Sequence, residues 1–334
     1  MAGSAPHNPY GPSPLRRPGS IRRTTTIDTS WPDGHGQPML MQGVGRDVQT
    51  PAGGGDPVEL ARGSFRILAS PMREIQSIAV SPDNPAAQQL VGVRGGGQSR
   101  AAIADVMGEE RARATPLHQI LDDFAGASLV AGWAWSRWVT DWRELNRKSG
   151  ALSTAGRRGN MAGVCTGFAP GSTALTEDGG PPTAQNCAEV VSLLHPDDPQ
   201  GWHELGVQQG VGMRRARRLD IWRDEGKLII DIGFQDSGTA PNTDLRIAIH
   251  EYHVRVTAGG PDDRIESIVA TPHVLPFPEC PGAIGFTSRL NGLPIASMRE
   301  AVLEQLPGTL GCTHLNDVLR SLADAPALVA QLDN

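Results

Sequence analysis

The chain repeats itself, and that constrains its fold more than any other feature. "IRRTTTID" at Ile21–Asp28 is answered by "MRRARRLD" at Met213–Asp220. "REIQSIAVSP" at Arg73–Pro82 is answered by "DRIESIVATP" at Asp263–Pro272, and "TPLHQIL" at Thr115–Leu121 by "THLNDVL" at Thr313–Leu319. The endings "FAGASLVA" and "LADAPALVA" also correspond. The matches keep one order and nearly constant spacing, so they read as a tandem duplication.

Each unit follows a similar plan. Short runs rich in Ile and Val come first, such as "KLIIDIGF", "LRIAIHEYHVRV" and "RIESIVATP", and these favour strands. Two helices follow, in the second unit near Ser297–Gln305 and from Thr313 onward. There Leu315, Val318, Leu319 and Leu322 recur at i, i+3, i+4, i+7 as a core-facing stripe. The expected class is α+β: two tandem repeats, each a small antiparallel sheet followed by helices on one face. The expected division is a disordered tail over 1–20, a first repeat over 21–148, a linker or long loop over 149–205 dominated by Gly, Ser, Thr and Pro, and a second repeat over 206–334.

The 334 residues suffice for two domains of ordinary size. A net charge of −6 argues against a nucleic-acid partner. No apolar run approaches the ~20 residues of a membrane span. The opening "MAGSAPHNPYGPSPLRRPGSIRR" lacks the apolar segment of a secretory signal and reads as a solvated arm. The expectation is a cytoplasmic protein acting on a small-molecule substrate, with a homo-oligomer or partner protein left open. Its four cysteines, Cys165, Cys187, Cys280 and Cys312, then point to metal or chemical roles ahead of disulfides.

The units differ where chemistry can occur. The second holds "HEYH" (His250–His253), "PFPEC" (Pro276–Cys280) and "CTHLND" (Cys312–Asp317). The first has neither cysteine, and it places Pro116 opposite His314 and Gln119 opposite Asp317. This asymmetry reads as an active unit beside a degenerate scaffold unit. Cys312 precedes a helix for which Thr313 is the expected N-cap, and the helix N-terminus favours a thiolate. Cys280 sits in a stiff Pro-rich loop. Strand alternation separates His250 and Tyr252 from Glu251 and His253. His250, Cys280, Cys312 and His314 thus make a mixed sulfur/nitrogen set that suits Zn or Fe. Asp317, Glu251 and His253 are the candidate acid–base or ligand-orienting groups. Cys165, in the Gly-rich "GVCTGFAPGS", is a further candidate to reach this site. Three readings follow: a metal-dependent hydrolase or lyase, a non-catalytic metal-binding accessory protein, or a metal-free enzyme with a cysteine nucleophile and His314 as base.

The stretches "RRTTTIDTSWPDG", "LDDFAGASLVAGWAWSRW", "HEYHV", "FPECPGA" and "GTLGCTHLNDVLRSLAD" resemble an uncharacterised bacterial family, a domain of unknown function, over most of the chain after the tail. "RIESIVATP…EC" and "GCTHLNDVLRSLADA" show a fainter resemblance to iron–sulfur scaffold proteins of the NifU/IscU type. That resemblance implies Cys280, Cys312 and His314 as ligands. The chain departs from it by having Cys-x-His where the scaffold has adjacent His and Cys.

Overall fold

The computed structural model describes residues 4–141, 144, 161–176 and 185–332. Nine strands are present among them: β1 (Ser20–Ser30), β2 (Met39–Thr50), β3 (Val58–Ala69), β4 (Ile75–Ser81), β5 (Ala188–Val190), β6 (Gly212–Asp224), β7 (Lys227–Gly238), β8 (Arg246–Gly259) and β9 (Arg264–Val274). Helices α1 (Gly97–Val106), α2 (Gly108–Ala112), α3 (Pro116–Asp122), α4 (Phe124–Ala131) and α5 (Trp135–Trp138) follow β4. Helices α6 (Met298–Gln305), α7 (Thr313–Arg320) and α8 (Ala325–Val329) follow β9.

The class is α+β, but the strands form one antiparallel sheet in place of two small ones. Its order is β4-β3-β2-β1-β6-β7-β8, and β5 and β9 share the far side of β8. The halves fuse where β1 pairs β6, from Ile21↔Ile221 to Ser30↔Gly212. Both seam strands are buried despite their arginines, because each arginine meets a carboxylate. On one face Arg22 pairs with Asp220, Arg218 with Asp231, and Arg214 with Asp28. On the other, Arg23 bridges Asp47 and Asp324, and Arg217 holds Asp123.

Helices cover this second face. The stripe Leu315, Val318, Leu319 and Leu322 packs there with Ile230, Ile232, Val254 and Val256 in one core. A second core joins Met41, Phe65 and Ile67 to Leu117, Ile120, Leu121 and Phe124. The opposite face is covered by the segment expected to be a solvated tail, which docks on the sheet. Asn8 N–H donates to the His273 carbonyl, Tyr10 stacks on His253, and Arg16 pairs with Asp198. Of the expected linker, residues 161–176 and 185–205 are described, and they too are bound to the fold. His203 sits buried between the hydroxyls of Thr24 and Thr26, at 2.9 and 2.8 Å. The remainder of that segment lies outside the described residues.

The halves differ in how close the helices come to the sheet. In the first, Gly45 pairs across strands with Gly63, and α3 presses onto them. A Cβ on Gly63 would stand 2.7 Å from Leu117 Cβ and 2.8 Å from Leu117 N. In the second, Phe234 pairs with Tyr252, and Tyr252 reaches Cys312 at the start of α7. Aromatic rings therefore fill the space between sheet and helix beside His250 and His314. We expect Gly63→Ala to cost about 1–3 kcal/mol, because the backbone of α3 must move. Gly53→Ala, with nothing within 4 Å, should be nearly neutral. Thermal melts of the two variants check this.

Candidate metal centre

Asp236 lies near the end of β7, directly across from His250 on β8. The register slips between Asp236 and Ser237, leaving one extra residue on β8, and bulges of this kind re-aim side chains near sites. His314 reaches the same place from the first turn of α7. One ligand atom from each of Asp236, His250 and His314 lies within 4.8 Å of the other two. His250 Nδ1 is 3.4 Å and His314 Nε2 3.6 Å from Asp236 Oδ2. The imidazoles stack with centroids 3.4 Å apart and planes 21° from parallel.

The electrostatics keep these imidazoles neutral. Burial drives the His250 pKa down against the pull of Asp236. Burial and the neighbouring His250 hold His314 well below its ordinary value. Burial opposes ionisation of the completely buried Asp236, but Arg215, with help from His250 and His314, holds its pKa below the usual carboxylate range. Arg215 grips both its oxygens, at 2.8 and 2.9 Å, and donates to Asp317 at 2.8 Å. His250 Nδ1 is buried without a hydrogen-bond partner. Neutral imidazole nitrogens beside a carboxylate are the donor set of Zn²⁺ or Fe²⁺ sites. With metal–ligand bonds of about 2.0–2.2 Å, tetrahedral neighbours stand about 3.3–3.6 Å apart, close to the two histidine–Asp236 separations here.

The residues singled out from sequence fall into three places. His250 and His314 meet. Cys312 adjoins them, with Sγ 3.9 Å from His314 Nδ1 and accepting from the Tyr252 hydroxyl at 3.5 Å. It faces the His314 ring nitrogen turned away from Asp236. Cys312 also occupies the N-cap position expected of Thr313. Cys280 lies on the far side of Cys312, toward Cys165. Asp317 is tied to Arg215 and Arg100. Glu251 and His253 face the other side of the sheet. Glu251 accepts from Gln235 at 2.8 Å and from Tyr10 N–H at 2.9 Å, and His253 contacts Asp231 at 2.8 Å. Neither can act at the His250/His314 pair.

Sequence reasoning missed Asp236. Its signal was present in the pairing, since Arg23 stands opposite Asp47 as Arg215 stands opposite Asp236. An acidic residue in a β-run carries no such message until strand partners are known.

Residues 213–328 match a family described as "Protein of unknown function (DUF2889)", an uncharacterised domain family. The match covers about a third of the chain, less than the resemblance read from sequence. No curated protein and no solved structure matches the chain, and the likeness to iron–sulfur scaffolds gains no support from these comparisons.

Proposed function

We propose that the protein is a metal-dependent hydrolase or lyase for a small organic substrate, with one Zn²⁺ or Fe²⁺ held by Asp236, His250 and His314. The observation that carries this reading is that one ligand atom from each of Asp236, His250 and His314 lies within 4.8 Å of the other two. Three protein ligands leave a coordination position for water or a substrate carbonyl. Arg215 and the Cys312 thiol would orient Asp236 and His314 from behind. The site's burial also suits the second reading, a non-catalytic metal-binding accessory protein. A third, metal-free reading draws on the chain Cys312···His314···Asp236, a nucleophile, base and orienting carboxylate in sequence.

A tandem origin of the two halves belongs to the same proposal. The pairing Arg23–Asp47–Ala61 on β1, β2 and β3 parallels Arg215–Asp236–His250 on β6, β7 and β8. The buried arginine–aspartate brace occurs twice, but Ala61 and Pro116 stand where the second half has the two imidazoles. The first half would then be a scaffold and the second the active unit.

Elemental analysis and Co²⁺ substitution test the assignment. The protein should take up an ion whose visible ligand-field bands persist in Cys280→Ala. His250→Ala and His314→Ala should weaken its binding by about 100-fold or more. Unchanged bands in both histidine variants would end the assignment. Chelator-sensitive hydrolysis of an activated ester supports the enzyme reading, and chelator-resistant hydrolysis lost in Cys312→Ala supports the third.

A further inference from the structure

Three of the four cysteines converge where the 161–168 loop meets the start of α7. Thr166 N–H donates to the Gly311 carbonyl at 2.8 Å. The Thr166 hydroxyl also reaches the Thr309 and Gly311 carbonyls, at 2.7 and 3.0 Å. This stitching sets Cys165 beside Cys312. Gly167 lies between Cys165 and Cys280: a Cβ there would stand 2.7 Å from Cys280 Sγ and 3.8 Å from Cys165 Sγ. All three thiols are buried, whereas Cys187 is half-buried beside Arg137.

The start of α7 is unusual in a way that concerns these sulfurs. No side chain caps it with a hydrogen bond. Its first-turn N–H groups face sulfur instead, Thr313 toward Cys165, and Leu315 and His314 toward Cys312. Uncapped amides at a helix N-terminus favour anions, thiolates included. Burial opposes ionisation, pushing the Cys165 thiol up to about 11 and the Cys280 thiol higher still.

We propose that Cys165, Cys280 and Cys312 form a second metal site, for a soft thiophilic cation such as Zn²⁺ or Cu⁺, separate from the Asp236–His250–His314 centre. Thiolate sulfur selects such ions over hard cations. With a divalent ion, three thiols lose three protons to solvent as three metal–sulfur bonds form, leaving one net negative charge at the positive end of α7. Among the described residues only Asp236, His250 and His314 already stand within 4.8 Å of one another. The sulfurs must therefore close on the ion by χ1 rotation, which moves Sγ by up to about 3 Å. The site does not depend on the function proposed above.

The test is titration of the reduced full-length protein with Cd²⁺, followed by thiolate-to-metal charge-transfer absorption. The band should saturate at one equivalent, persist in His250→Ala and in Cys187→Ser, and lose about a third of its intensity in Cys165→Ser as three sulfurs become two. Should cysteine variants misfold, the unaltered protein gives a second readout. One equivalent of Cd²⁺ should slow alkylation of Cys165, Cys280 and Cys312 together and leave Cys187 unchanged. A missing band, a band undiminished in folded Cys165→Ser, a band lost in His250→Ala, or unchanged alkylation rates would overturn the proposal. Because His250→Ala should weaken the first centre and leave the thiolate band of the second intact, either can fail alone.

Discussion

Replacing Arg215 by Met is expected to destabilise the protein by about 3–5 kcal/mol, the usual cost of stranding a buried charge. Arg215 is 3% exposed. It is the shared partner of Asp236, which is completely buried, and Asp317, which is nearly so. Its removal leaves Asp236 facing only two imidazoles that burial keeps neutral. The carboxylate must then stay ionised without a counter-charge or take up a proton. Asp317 keeps Arg100, a more exposed partner. A loss of this size is a large share of the 5–15 kcal/mol typical of a folded protein. The exposed pair Lys227–Glu266 is the control, and Lys227→Met should change stability by less than about 1 kcal/mol. Urea unfolding measures both. If Arg215→Met loses no more than the control, the buried brace does not matter. The double variant Arg215→Met/Asp236→Met should recover part of the loss, because both buried charges of that pair go together.

Acid should unfold the protein below about pH 5, with histidines as the main cause. Burial, with help from Arg299, lowers the His118 pKa to about 4. Burial, with help from Arg46, lowers His203 to about 3. An unfolded histidine titrates near 6.5, so between these values the unfolded state binds more protons than the folded one. The stabilisation from neutral, buried imidazoles is present above pH 6.5 and is lost as pH falls toward the folded values. By pH 4 the two together amount to about 3–6 kcal/mol. They separate cleanly by variant. His118 has no hydrogen-bond partner on either nitrogen, so His118→Leu should flatten the pH dependence without loss at pH 7. His203 ties Thr24 to Thr26, so His203→Leu should flatten the dependence but lower stability at pH 7. Urea midpoints at pH 7 and pH 5 decide the matter. Equal acid sensitivity in both variants and the parent would remove His118 and His203 as the cause, leaving the buried pair His250 and His314.

What was legible in the sequence was local. The stripe Leu315–Leu322 gave α7 because its period is a property of neighbouring residues. Alternation along "HEYH" placed His250 and Tyr252 toward the helices and Glu251 and His253 away from them. What was hidden depends on partners distant in the chain. The fusion into one sheet rests on β1 meeting β6, and no local pattern announces a strand's neighbour. The N-terminal arm has the composition of a solvated segment, but the Asn8 and Tyr10 N–H groups, the Tyr10–His253 stack and the Arg16–Asp198 pair dock it on residues far away in the chain. The four-ligand set divided because Cys280 belongs with Cys165, brought across by hydrogen bonds from Thr166. Asp236 entered because a cross-strand partner is visible only once register is known.

The β1–β6 seam bears on the stretch that matches the uncharacterised family. Cut out alone, residues 213–328 would carry β6 with an unclaimed ladder edge. Asp220 would be without Arg22, Arg217 without Asp123, and Asp324 without Arg23. A polypeptide limited to that stretch would need to borrow a neighbour, most simply a second molecule of itself laid antiparallel along the same edge. By carrying its own counterpart in cis, this chain closes the edge at every concentration, and its assembly needs no encounter.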